Sequence, residues 1–166
     1  MNKPYIEKLS AKHNSQNFDC GQPNLNTFLV RYALQSQQSD SATTYVACID
    51  ERVIGYYSLT VGSVAHKDAP ERIIKGIAKY PIPVIILARL AVDKDEQGKG
   101  IGKGLLKNAL QRVAQAADII GVRALLVHAK DEQARLWYEQ FDFDFSPTDP
   151  LHLFLSLKDI RKILRE

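Results

Sequence analysis

Leu90-Ala91-Val92-Asp93-Lys94-Asp95-Glu96-Gln97-Gly98-Lys99-Gly100-Ile101-Gly102-Lys103 joins an apolar run to a helical repeat, and its three alternating glycines fall where the two meet. Upstream, Val84 to Val92 is nearly continuous in apolar residues, as suits a strand buried in the middle of a sheet. Downstream, Ile101, Leu105, Ala109, Val113 and Ala117 recur every four residues, and Leu106, Leu110 and Ala114 widen the stripe into one helical face. A helix entrance exposes unpaired N–H groups and the positive end of the helix dipole, and absent Cβ atoms let an anion approach the main chain. A pyrophosphate-sized anion suits such a turn, and Lys99 and Lys103 add full charge there.

Spacing separates the phosphate-binding motifs that share this physics. The dinucleotide pattern G-x-G-x-x-G fails, because its last position is Lys103 counted from Gly98 and Leu105 counted from Gly100. The P-loop pattern fails as well, with Gln97 where its first glycine belongs and Gly104 in place of Ser or Thr. The spacing that fits is Q-x-x-G-x-G, from Gln97 through Gly100 to Gly102.

Tyr5 to Leu9 reads as a short strand and His13 to Pro23 as loop. Asn24 reads as the cap of a helix running to about Gln38, with Leu25, Phe28, Leu29, Tyr32 and Ala33 on one face. Thr43–Ile49 and Val53–Val61, parted by Asp50-Glu51-Arg52, read as an antiparallel hairpin. Pro70-Glu71 opens a short helix toward Ile77, and Pro81 and Pro83 force an extended entry into the central strand. Ala124–Val127 is a further strand, Asp131 caps a helix carrying Ala134, Trp137 and Tyr138, Leu151–Leu157 is the last strand, and the tail after Lys158 is a short amphipathic helix. The order implies a mixed α/β class in one domain spanning 1–166, with no repeat or linker dividing it.

Composition agrees with a single globular domain: 166 residues, 45% hydrophobic and 25% charged, with a net charge of +3 that permits a polyanionic partner without demanding one. Cys20 and Cys48 are too few for a disulfide scaffold, and no C-x-x-C or Cys/His cluster has metal-ligand spacing, so no metal is expected. The N-terminus lacks a secretory pattern and the longest apolar run, Val84 to Ala88, is stopped by Arg89, so a cytoplasmic protein with no membrane partner is expected. Met1 is the only methionine, which leaves the core to branched aliphatics, Leu, Ala and rings.

The hexad, preceded by Leu90-Ala91-Val92 at a strand end, resembles the acyl-coenzyme A signature of the GNAT family of N-acetyltransferases. Val53-Ile54-Gly55-Tyr56-Tyr57-Ser58-Leu59, the segment Pro81 to Val92, and Ala134-Arg135-Leu136-Trp137-Tyr138-Glu139-Gln140-Phe141 resemble the branch of that family that serves as toxins of bacterial type II toxin–antitoxin pairs. The similarity runs from about Phe18 to Leu155. It implies a mixed, mostly antiparallel sheet flanked by helices, with a splayed strand pair holding acetyl-CoA. It further implies that the protein transfers acetyl to the α-amino group of aminoacyl-tRNA and blocks translation. Gln97, Gly98, Lys99, Gly100, Ile101, Gly102 and Lys103 would wrap the pyrophosphate, and Leu90, Ala91 and Val92 would meet the thioester carbonyl and pantetheine arm like an added strand. The expected partners are the charged tRNA and a ribbon-helix-helix antitoxin through which alone DNA is bound; a homodimer is compatible with the family.

Amine attack on a thioester needs N–H donors for the oxyanion and a proton for the departing thiolate. Backbone near Leu90 supplies the first, and the matching family position for the second is Tyr138, whose phenol, with an ordinary pKa of about 10, stays protonated at neutral pH. Taken alone, Tyr138 beside Trp137 and Phe141 reads as a core aromatic. No carboxylate or His announces itself as a base: Glu139 and Asp131 read as solvated or capping, and His128 as structural. An α-amino group starts near about 8, well below a lysine side chain, and its ester neighbour lowers it further. Arg89 interrupts an apolar strand where an unpaired cation is costly, so it is either a salt-bridge partner or a substrate contact. Arg72, Lys75, Lys79, Lys94 and Arg135 are further candidates for tRNA phosphates. Asp142 stands where many relatives carry glycine, and Asp131 where many carry Asn. The same chemistry on a small amine or protein N-terminus is the alternative substrate reading, and a catalytically dead coenzyme- or tRNA-binding module the alternative class.

Overall fold

The computed structural model describes residues 2–78 and 80–166, so Met1 and Lys79 lie outside it. Among the described residues the strands are β1 (Tyr5–Lys8), β2 (Thr43–Ile49), β3 (Arg52–Val64), β4 (Ile82–Val92), β5 (Ala124–His128), β6 (Asp144–Phe145) and β7 (His152–Ser156). The α-helices are α1 (Pro23–Thr27), α2 (Ala33–Gln38), α3 (Glu71–Ile74), α4 (Ile101–Ala117), α5 (Glu132–Glu139) and α6 (Leu157–Arg165). The strands form one sheet in the order β1-β2-β3-β4-β5-β7-β6, so the apolar run before the glycines is central, as its composition requires. β1/β2, β2/β3, β5/β7 and β6/β7 pair antiparallel, while β4/β5 pair parallel.

The chain divides into two units, Met1–Thr60 with Ala88–Ala109, and Val61–Leu87 with Leu110–Glu166. In the first, the hairpin turns at Asp50, which takes a left-handed φ of 55° that Asp tolerates. Leu25, Phe28 and Leu29 bury one helical face against Val46, Val53 and Tyr56, each large side chain contributing about 2 kcal/mol. The Tyr56 hydroxyl donates to the Leu25 carbonyl at 2.7 Å, so this ring is satisfied as well as enclosed. Two expectations are corrected here. Asn24 is not a cap, because the helix starts at Pro23 with Gln22 as an N-cap that makes no side-chain bond. Nor is the helix one α-helix to Gln38: Phe28–Tyr32 is a π turn between α1 and α2.

In the second unit, Ile73, Ile82, Val84, Leu126 and Phe154 form the core. The half-buried Arg123 fastens α3 by donating from Nε to the Ile73 carbonyl at 2.8 Å and from Nη2 to the Lys75 carbonyl at 3.1 Å. Ser156 caps α6 by accepting from the Asp159 amide at 3.1 Å. The helix opened by Pro70-Glu71 stops at Ile74, short of Ile77, and β6 is a strand the sequence reading did not contain. Among the described residues no helix is long and apolar enough to cross a membrane. Cys20 and Cys48 are buried free thiols, and burial pushes the Cys48 thiol up to about 11.

Candidate active site

The segment from Leu90 to Lys103 belongs wholly to the first unit. β4 ends at Val92, a short 3-10 turn covers Lys94–Glu96, and α4 starts at Ile101. Gly98 and Gly100 have φ of 81° and 86°, a conformation that side chains rarely adopt, and a Cβ at either would meet nothing within 4 Å. Backbone conformation, not crowding by the protein, therefore demands glycine, and the space above both residues is open to a ligand. The α4 ladder begins with the Gly104 amide donating to the Gly100 carbonyl at 3.1 Å. The amides of Ile101, Gly102 and Lys103 thus occupy the first turn, where no intrahelical acceptor exists. Alternating left-handed glycines followed by free helix amides make a backbone cradle able to receive an anion.

The side chains around the cradle divide into struts and charges. Gln97 Nε2 donates to the Val92 carbonyl at 3.0 Å and to the Cys20 carbonyl at 3.4 Å, tying the strand end to the glycine turn. Lys99 Nζ lies 3.0 Å from Glu96, which also meets Arg52 at 3.6 Å, so its charge is shared, whereas Lys103 is exposed and has no ion pair among the described residues. The ladder of β4 with β5 ends at Leu87 and Val127, and Ala88 to Val92 continue past it without a partner in β5. Leu90, Ala91 and Val92 stand on that continuation.

Two supports were missed in the sequence. Buried Asp93 accepts from the Asp95 amide at 3.0 Å and the Asp19 amide at 3.2 Å, while its own amide donates to the Ile54 carbonyl at 2.8 Å. Asp19 in turn accepts from the Gly21 amide at 2.9 Å and from Asn26 at 3.0 Å, and Lys94 lies 3.1 Å away; the Gly21 amide leads in holding its carboxyl down at about 2. The second support is Gly55 in β3. A Cβ there would stand 3.0 Å from Leu105 Cδ1, 3.2 Å from the Ala91 carbonyl oxygen and 3.3 Å from Ile101 Cγ2, so only glycine lets both sides of the cradle approach β3. The signal was a lone glycine inside a strand pattern.

Arg89 makes no ion pair among the described residues. Its guanidinium carbon lies 3.6 Å from the centroid of the Phe28 ring, in the π turn, so of the two roles open to it the salt bridge is replaced by a cation–π contact, which leaves the guanidinium edge available for an anion.

In the second unit, Asp131 Oδ1 accepts from the Ala134 amide at 2.8 Å, the cap expected of it, and α5 carries Tyr138 inward. The Tyr138 ring is buried edge-on to Trp137 at 5.0 Å and to Phe143 at 5.6 Å. Its hydroxyl has no hydrogen-bond partner among the described residues, and burial alone raises its pKa far above 10.0. Asp142 adopts φ 69°, the left-handed region that glycine favours and Asp tolerates. Arg135 pairs with Glu132 and reaches Glu139 at 3.8 Å; His128 is stacked on His152 at 4.2 Å.

A family model described as an acetyltransferase (GNAT) domain matches residues 40–144. The chain belongs to the GNAT acetyltransferase family. Among its relatives, a tRNA-acetylating toxin of Mycobacterium tuberculosis (strain ATCC 25618 / H37Rv) is 47% identical over 157 residues, covering 95% of this chain and 94% of the toxin. Of solved GNAT structures, AtaT complexed with acetyl-methionyl-tRNAfMet superposes with a TM-score of 0.91 at 29% identity, covering 98% of this chain and 99% of that one. A tyrosine-to-phenylalanine variant of the AtaT toxin, bound to the C-terminus of the antitoxin AtaR and acetyl-CoA, superposes with a TM-score of 0.85 at 28% identity, covering 98% and 99%.

Proposed function

We propose that this GNAT protein is the toxin of a type II toxin–antitoxin pair that acetylates the α-amino group of aminoacyl-tRNA in the cytoplasm, with the whole chain acting as one catalytic domain. The observation that carries the reading is the cradle of left-handed Gly98 and Gly100 at the entrance of α4, in a chain 47% identical to a tRNA-acetylating toxin across nearly its full length.

Acetyl-CoA supplies the acetyl group as a thioester. The amides from Gly98 to Lys103 hold its diphosphate, and Lys103 adds charge at the helix entrance. The backbone of Leu90, Ala91 and Val92, which continues past the ladder with β5, orients the pantetheine arm, an N–H group on this side stabilising negative charge that develops on the thioester oxygen. Tyr138 holds a proton on its phenol and delivers it to the departing sulfur; burial keeps that proton in place at any physiological pH. Arg89, oriented by Phe28, contacts phosphate of the tRNA acceptor end. The chain provides no assigned base, because the α-amino group of an aminoacyl ester is substantially neutral near pH 7. A ribbon-helix-helix antitoxin is the partner that restrains the activity and binds DNA.

The test is acetyl transfer to charged tRNA, read by mass spectrometry of the aminoacyl-adenosine after nuclease digestion. The expected product is α-N-acetylaminoacyl-adenosine, with no product from deacylated tRNA. Equal acetylation of free amines, or coenzyme binding with no transfer at all, overturns it.

A further inference from the structure

The second unit carries a groove of about 810 Å³ that shares no residue with the cradle. Its wall on one side is α6, where Lys158, Arg161 and Arg165 recur at spacings of three and four residues and so lie on one face. At 1.5 Å per residue this row is about 10 Å long. Arg72 of α3, Lys75 just after it and Arg123 ahead of β5 add further positive charge to the lining, and Asp159 is the one carboxylate among the lining residues.

The charges are not equally engaged. Arg72 lies 2.9 Å from Asp159 and 3.6 Å from Asp144, Arg161 lies 3.6 Å from Asp118, and Arg123 is spent on the carbonyls of α3. Lys75, Lys158 and Arg165 are exposed and have no ion pair among the described residues. Self-repulsion among such cations is unfavourable and is relieved by a partner bearing several negative charges. A single phosphate cannot span a row of about 10 Å, whereas consecutive phosphates of a nucleic-acid strand do. A lipid surface fits poorly, because Leu157 and Ile160 of α6 are buried and leave no apolar face to insert.

We infer that the groove between α3 and α6 binds the phosphodiester backbone of the tRNA body, by charge and without reading bases, as a second contact separate from the amine-acetylating site. The inference rests on the reading of charged tRNA as substrate. The three cations without an ion pair among the described residues, Lys75, Lys158 and Arg165, supply the attraction.

The experiment measures binding of unfractionated deacylated tRNA by fluorescence anisotropy across a salt series. It compares the parent with the double variant Lys158→Ala/Arg165→Ala and with Lys3→Ala/Lys8→Ala, which loses the same charge from exposed sites near the N-terminus. The groove variant is expected to bind tRNA about tenfold more weakly. Its log–log salt slope is expected to be shallower by about two, with acetyl-CoA affinity intact and the control close to the parent. Unchanged tRNA binding, or an equal loss in the control, overturns the proposal. Loss of binding to poly-glutamate with tRNA binding retained also overturns it, and assigns the groove to an acidic protein tail. Deacylated tRNA carries no aminoacyl α-amino group, so the acetylation reading fails or survives separately, by the transfer assay on the parent.

Discussion

Arg89, the one cation in the β4 segment Ile82–Val92, is held by the face of the Phe28 ring at 3.6 Å and not by a carboxylate. A cation–π contact is worth about 0.5–2 kcal/mol and fixes the guanidinium plane while leaving its donors free. Arg89→Ala is expected to raise KM for charged tRNA at least about tenfold with the acetyl-CoA Kd unchanged. Arg89→Lys is expected to recover little, because an ammonium lacks the planar fork. Phe28→Leu should move KM in the same direction by less. Steady-state kinetics on charged tRNA checks all three, and normal KM in Arg89→Ala removes the residue from substrate binding.

Tyr138 combines a buried ring with a hydroxyl that no described residue engages. Tyr138→Phe keeps the contacts with Trp137 and Phe143 and removes only the proton. Turnover is expected to fall about 100-fold or more with coenzyme affinity and melting temperature nearly unchanged. A variant with parental kcat returns Tyr138 to a packing role.

Gly55 is the point where β3 admits Ala91, Ile101 and Leu105. Gly55→Ala forces at least the Leu105 side chain and the Ala91 carbonyl to give way, at a cost of about 1–3 kcal/mol. A lower melting temperature together with weaker acetyl-CoA binding is expected, because both sides of the cradle lean on this residue. Parental values for both contradict the assignment.

Much of this was legible in the chain. The strand–glycine–helix junction, the stripe of α4, the Asp131 cap and the central place of β4 all follow from period, spacing and caps, which are local signals. The π turn was not legible, because a repeat of three and four residues reads the same whether or not one turn is widened by a residue. β6, two residues long, leaves no periodicity to detect. The role of Arg89 was open because its partner, Phe28, is far away in sequence and belongs to another element. Asp93 and Asp19 carry no local signal in the sequence, and only their mutual placement makes them struts for the glycine turn.

Asp19 gives a pH signature. Its folded pKa, about 2, lies below the ordinary 3.8, so its contribution to stability is present above 3.8 and is lost as the pH falls through about 2. Asp19→Asn is therefore expected to melt below the parent near neutral pH, with the gap closing as the pH drops below 3.8 toward about 2. A gap that stays constant in thermal melts across that range contradicts the coupling of Asp19 to Gly21, Asn26 and Lys94.

The cradle from Gln97 to Lys103 is tested most directly by calorimetry with acetyl-CoA and with acetyl-pantetheine, which carries the same thioester and no diphosphate. If the amides of this turn hold the diphosphate, acetyl-CoA binds at least about a hundredfold more tightly than acetyl-pantetheine, since several charge-assisted hydrogen bonds are lost together. Equal affinities, or no heat with either compound, would contradict it.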